Sequence, residues 1–113
     1  MKNLLVILFL LIAYTLTSAQ EVEVTETEIE VSGVCGMCKE RIEKSIDIDQ
    51  VKYTKWNKRN KMLFVAFEST VTADSLMKRI AAIGHDTELF KAPDEVYNSL
   101  PKCCRYREDV RTH

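Results

Sequence analysis

Val31-Ser32-Gly33-Val34-Cys35-Gly36-Met37-Cys38-Lys39-Glu40-Arg41-Ile42 is where a strand pattern gives way to a helix pattern, with two thiols at the junction. Upstream, Val22, Val24, Ile29 and Val31 alternate with Glu and Thr, so a first strand is expected over Glu21 to Val31. Downstream, Ile42 and Ile46 stand four apart among charged residues, so a helix is expected from about Met37 to Ile46. Thiols three apart at a helix N-terminus share one face and lie in the positive end of the helix dipole. That position favours thiolates, the form that binds metal and attacks disulfides.

The remaining chain completes a recognisable order. Val51 to Trp56 reads as a second strand, Asn57 to Lys61 as a turn, and Met62 to Phe67 as a third strand with Leu63, Val65 and Phe67 on one face. Thr72 is an N-cap for a second helix striped by Leu76, Ile80 and Ile83, and Gly84 stops it at C′. Thr87 to Phe90 is expected to form a short fourth strand. Pro93 then breaks the pattern, Glu95 to Leu100 has the length of one or two helical turns, and Cys103-Cys104 precede a charged tail. The order β-α-β-β-α-β predicts an α+β, ferredoxin-like fold: a four-stranded antiparallel sheet with both helices on one face, followed by a short C-terminal Cys-Cys tail. Ile42, Ile46, Leu76, Ile80 and Ile83 should then pack on Ile29, Val31, Leu63 and Val65. Trp56 is expected to point inward with Thr54, and Tyr53 to the opposite face.

The first nineteen residues read differently from the rest. Lys2 is a short positive region, Leu4 to Ala13 is apolar without charge, and Thr17-Ser18-Ala19 is a small-residue cleavage site. Residues 1–19 are therefore expected to be a signal peptide cut between Ala19 and Gln20, residues 20–92 a domain, and residues 93–113 a C-terminal extension. The rival is an uncleaved anchor, but the apolar run falls short of the roughly 20 residues a span needs. The expected product is a periplasmic or secreted protein with no stable membrane insertion. Without Lys2, fifteen basic residues face seventeen acidic ones, so the net charge is about -2. No basic excess exists to neutralise phosphates, which argues against nucleic acid as a partner. The cluster Lys52, Lys55, Lys58, Arg59 and Lys61 reads as a solvated hairpin.

Four cysteines in a small exported domain would ordinarily predict two disulfides. The spacing argues otherwise. Cys103 and Cys104 are adjacent, and bonding them would strain the ring; Cys35 and Cys38 are too close to staple distant segments. They read as two separate thiol pairs. No Ser/His/Asp set, Gly-rich phosphate loop or paired acids accompany them, so no enzyme is expected.

Val31-x-Gly33 leading to Cys35-x-x-Cys38, then Arg41-Ile42-Glu43, and later Ile83-Gly84-His85-Asp86, resemble the heavy-metal-associated domain family over about residues 24–91. That family includes copper chaperones, N-terminal domains of metal-pumping ATPases and a periplasmic mercury-binding protein. The resemblance implies that Cys35 and Cys38 bind a soft cation, Cu(I) foremost, with Hg(II), Zn(II) or Cd(II) as alternatives. It also implies a metal-transport ATPase or another metallochaperone as partner. This chain departs from the usual Gly-Met-x-Cys-x-x-Cys loop: Val34 alone separates Gly33 from Cys35, and Met37 lies between the cysteines. It also carries His85 where copper chaperones commonly have Tyr, and a tail that the minimal domain lacks.

The expected function is an exported protein that carries or sequesters a soft metal; the alternative is a thiol-disulfide redox protein using the same pair. Cys35 and Cys38 are the expected ligands, and His85, Cys103 and Cys104 are candidates to join them. Met37 reads as a flexible cover or docking contact rather than a ligand.

Overall fold

The computed structural model describes residues 2–15 and 22–108. Helix α1, Lys2–Thr15, leaves the side chains of residues 2–10 exposed. Among the described residues, no helix is long and apolar enough to cross a membrane. The expected cleavage point between Ala19 and Gln20 lies outside the described residues.

Strand β1, Val24–Glu30, leads through the thiol loop into helix α2, Gly36–Ser45. Strands β2, Val51–Asn57, and β3, Met62–Glu68, form a hairpin, and helix α3, Ala73–Ala82, follows. The sheet order is β1-β3-β2, with β3 antiparallel to both neighbours. At the hairpin turn, Asn57 Oδ1 accepts from the amides of Arg59 and Asn60. The left-handed residue there is Lys61, at φ 62°, rather than an asparagine. A register shift between Val51 and Tyr53 marks a bulge in β2. An extra residue reverses the inward-outward alternation. Val51 therefore packs against the core while Trp56 also points inward, 1 % exposed.

Helix α3 begins where Thr72 Oγ1 accepts from Ser75 N at 3.1 Å. It closes at Gly84, whose φ of 111° is a backbone state that L side chains rarely adopt. A Cβ at Gly84 would also meet Leu100 at 3.1 Å, so the glycine admits the tail as well as the turn. Helices α2 and α3 cover one face of the sheet, burying Ile42, Leu76 and Ile80, with Ile46 just past α2, against Ile29, Val31, Leu63 and Val65. Tyr53 lies on the open face, edge-on to Phe64.

The expected fourth strand does not form, and the sheet has three strands. Thr87 makes a single antiparallel bridge with Val31, and Glu88 N donates to Glu30 O. The chain then turns at once: Thr87 N donates to Phe90 O at 2.8 Å, and Phe90 N returns a bond to Thr87 Oγ1. Asp86 Oδ1 next captures Ala92 N at 2.7 Å. Past Glu88 the pairing with β1 stops because Phe90 N is spent within the turn, and this segment becomes a seat for the tail.

That tail comprises helix α4, Asp94–Asn98, and a 3-10 turn, Lys102–Cys104. Pro93 and Pro101 stand immediately before these two pieces. Tyr97, Leu100, Cys104 and Tyr106 are all buried in the common core. The tail folds back across the start of α2.

Candidate metal centre

Four contacts fix the loop that carries the first thiols. Val31 N donates to Lys61 O, and Trp56 Nε1 donates to Val31 O at 2.9 Å. Ser32 N donates to Asp86 O, and the Ser32 carbonyl faces His85 Nδ1 at 2.8 Å. A carbonyl only accepts, so Nδ1 carries the proton in this arrangement. Gly33 is required by close approach: a Cβ there would lie 2.9 Å from the Trp56 ring and 3.1 Å from Cys38 Cβ. Cys35 is the N-cap of α2 and Cys38 lies in its first turn, where the unpaired amides point.

The tail delivers a third thiol to this place. Cys35 Sγ lies 3.3 Å from Cys38 Sγ and 3.6 Å from Cys104 Sγ. All three sulfurs fall within 4.8 Å of one another, and all three residues are buried. Among the described residues, no other group of three His, Cys, Asp or Glu side chains is gathered in this way. All four cysteines are free thiols.

The cluster holds one thiolate more readily than three. Burial pushes the Cys35 thiol up, but hydrogen bonds from the Cys38 amide and from the Cys38 and Cys104 thiols outweigh it, so its pKa is lowered. Burial dominates at Cys38 and raises its pKa. Burial and the two neighbouring thiols push Cys104 well above the usual thiol range. Cys35 is thus the thiol of the three that ionises most readily, with the Cys38 and Cys104 thiols beside it as S–H donors.

The other candidates take different places. His85 is fully buried but is not in the three-sulfur group; it holds Ser32 and stacks on Tyr106 with ring centroids 5.4 Å apart. Burial lowers its pKa, more than the Ser32 carbonyl restores, which keeps the imidazole neutral. Its Nε2 has no hydrogen-bond partner among the described residues. Cys103 also stands outside the trio: its Sγ is 3.9 Å from Cys104 Sγ and 3.5 Å from Met37 Sδ.

Several residues that position the site carried no motif. Tyr106 Oη donates to Gly84 O at 2.7 Å and accepts from Asp86 N at 2.8 Å. Arg107 clamps both Asp86 carboxylate oxygens and the Ala92 carbonyl, and its guanidinium lies 4.2 Å from the Tyr97 ring centre. Burial would raise the Asp86 pKa, but the Arg107 hydrogen bonds and charge hold it below the usual carboxylate range. Together these contacts lock the tail to the residues after α3, and so set where Cys104 sits. Two tyrosines in an otherwise charged tail were the available signal.

Scans of protein-family models and of curated proteins find no match. Solved structures do match. A CopZ metallochaperone is 26% identical with a TM-score of 0.53, covering 56% of this chain and 98% of that one. A "putative copper-ion-binding protein from Bacillus anthracis str. Ames" is 24% identical with a TM-score of 0.56, covering 60% and 100%. A CsoZ metallochaperone is 16% identical with a TM-score of 0.50, covering 57% and 97%. Nearly all of each neighbour is therefore accounted for by little more than half of this chain. In fold as in the Gly33–Cys38 loop and the Ile83–Asp86 closure, this chain resembles the copper chaperones of the heavy-metal-associated family.

Proposed function

We propose that this chain binds one soft metal ion through Cys35, Cys38 and Cys104 and carries or sequesters it, with Cu(I) as the principal cargo. The observation that carries this reading is the convergence of three buried sulfurs from two distant parts of the chain within 4.8 Å. Sulfurs bound at about 2.3 Å to one ion in a plane stand about 4.0 Å apart. The separations of 3.3 and 3.6 Å, inside a group bounded at 4.8 Å, need only small rotations to meet that requirement. Soft thiolate donors select Cu(I) and related ions, and Hg(II), Zn(II) and Cd(II) are the competitors. The likeness to a CopZ metallochaperone supports a metal-carrying role.

Three ligands shape the chemistry. The ion keeps an open side for an incoming thiolate, so it passes to a partner by exchange and is never free. A metal-transport ATPase or a second metallochaperone is the partner class. A thiol-disulfide role for Cys35 and Cys38 is the rival reading, since their sulfurs lie 3.3 Å apart. The third buried thiol favours the metal, because a redox pair has no use for it.

The reading extends to an exported protein, with residues 1–19 removed as a signal peptide and residues 20–92 and 93–113 forming one metal-binding unit. The charged start and uncharged apolar run from Leu4 to Ala13 support export. Anaerobic competition titration of the Cys35→Ser, Cys38→Ser double variant tests the metal assignment. Tight binding of one equivalent should disappear. Unchanged Cu(I) affinity would show that these thiols are not the site.

A further inference from the structure

Five sulfur atoms form an unbroken row from surface to core. Met37 Sδ lies 3.5 Å from Cys103 Sγ, and Cys103 Sγ lies 3.9 Å from Cys104 Sγ. Cys104 Sγ lies 3.6 Å from Cys35 Sγ, which is 3.3 Å from Cys38 Sγ. The outer two are the accessible ones: Met37 is 48% exposed and Cys103 is intermediate, whereas Cys104, Cys35 and Cys38 are all buried. The outer pair combines a thioether from the first turn of α2 with a thiol from the tail's 3-10 turn. Chain segments 66 residues apart therefore meet sulfur to sulfur at the mouth of the cluster.

We propose that Met37 and Cys103 form an outer exchange site through which a soft metal ion enters and leaves the three-thiol centre. The inference rests on the metal-binding reading of Cys35, Cys38 and Cys104. Entry proceeds in two displacements. Cu(I) arrives on a donor thiolate; bonds to Met37 Sδ and Cys103 Sγ form as the donor's sulfur–copper bond breaks. The proton lost by Cys103 passes to the departing donor thiolate. Bonds to the Cys35 thiolate, Cys38 and Cys104 then form as those to Met37 and Cys103 break; the Cys104 proton returns to Cys103, and the Cys38 proton passes to water. Copper remains Cu(I) throughout, so no electron moves. Burial of the inner thiols makes direct attack by a bulky donor difficult, and the outer pair supplies a reachable first foothold.

The test uses the full chain, anaerobically, with Cu(I)–glutathione as the thiolate donor and bicinchoninate as the chromophoric acceptor for unloading and competition. Stopped-flow absorbance gives loading and unloading rates, and equilibrium competition gives affinity and stoichiometry. Met37→Leu with Cys103→Ser should slow loading and unloading together by about tenfold, the effect of about 1.4 kcal/mol on each barrier. Affinity and the one-to-one ratio should stay unchanged. Equal rates in wild type and variant would overturn the proposal. So would faster unloading with a matching loss of affinity, which would make the outer sulfurs resting ligands. Wild-type protein taking up no Cu(I) would instead sink the three-thiol reading itself, and this inference with it.

Discussion

Replacing Tyr106 with Phe isolates what the tail contributes to the fold. The change removes one oxygen and leaves the ring in place, still stacked on His85 at 5.4 Å and edge-on to Tyr97 at 5.1 Å. Apolar burial is therefore nearly conserved. Two backbone groups lose their partner: Gly84 O, which accepts from Tyr106 Oη at 2.7 Å, and Asp86 N, which donates to it at 2.8 Å. Tyr106 is only 5% exposed, so water does not readily replace its hydroxyl. Each buried polar group left without a partner costs about 1–3 kcal/mol, so losing two should destabilise Tyr106→Phe by about 2–6 kcal/mol. Urea unfolding followed by fluorescence reads this directly, because Trp56, the chain's sole tryptophan, is buried in the core. The midpoint should fall with an unchanged slope, since the surface exposed on unfolding is the same. A loss below about 0.5 kcal/mol, the range of ordinary surface changes, would refute the idea that the tail is locked to the core through this hydroxyl.

Gly33→Ala should cost about 1–3 kcal/mol, because its Cβ meets the Trp56 ring at 2.9 Å; a full wild-type urea midpoint would contradict that. The Asp86–Arg107 pair gives the acid limb a definite sign. Since the folded pKa of Asp86 is depressed, its contribution is complete above the unfolded value of about 3.9 and is lost as pH falls through the folded value. Asp86→Asn should therefore be less stable than wild type at pH 7, with the gap closing in strong acid; a gap independent of pH would be the wrong result. Metal affinity should rise with pH through neutrality, because the elevated Cys38 and Cys104 thiols must lose protons on binding. A flat pH profile in competition titrations would show that no proton is displaced.

Most of the domain was legible because its patterns are local. Alternation located β1 and β3, the Ile42 and Ile46 spacing located α2, and Thr72 and Gly84 marked the ends of α3 as side-chain chemistry requires. The fourth strand was misread because Thr87 to Phe90 has strand composition, whereas Thr87 Oγ1 and Asp86 Oδ1 draw Phe90 N and Ala92 N into a turn, with Arg107, 21 residues on from Asp86, holding that carboxylate in place. No local pattern encodes that pair. The bulge in β2 escaped for the same reason, since it answers to β3 across the ladder. At the site, the Cys35 and Cys38 spacing foretold two neighbouring sulfurs at the start of α2. Which of the two tail cysteines turns inward could not be read from an adjacent pair; Tyr97, Leu100 and Tyr106 settle it by packing the tail against Gly84 and His85.

In the proposed site three thiols, one of them from the tail, hold a single ion. X-ray absorption on the chain loaded anaerobically with one equivalent of Cu(I) counts those ligands directly. Three sulfurs at one short distance are predicted for wild type, falling to two in Cys104→Ser. Two sulfurs in both proteins would contradict the account and leave Cys104 as a buried thiol of the core.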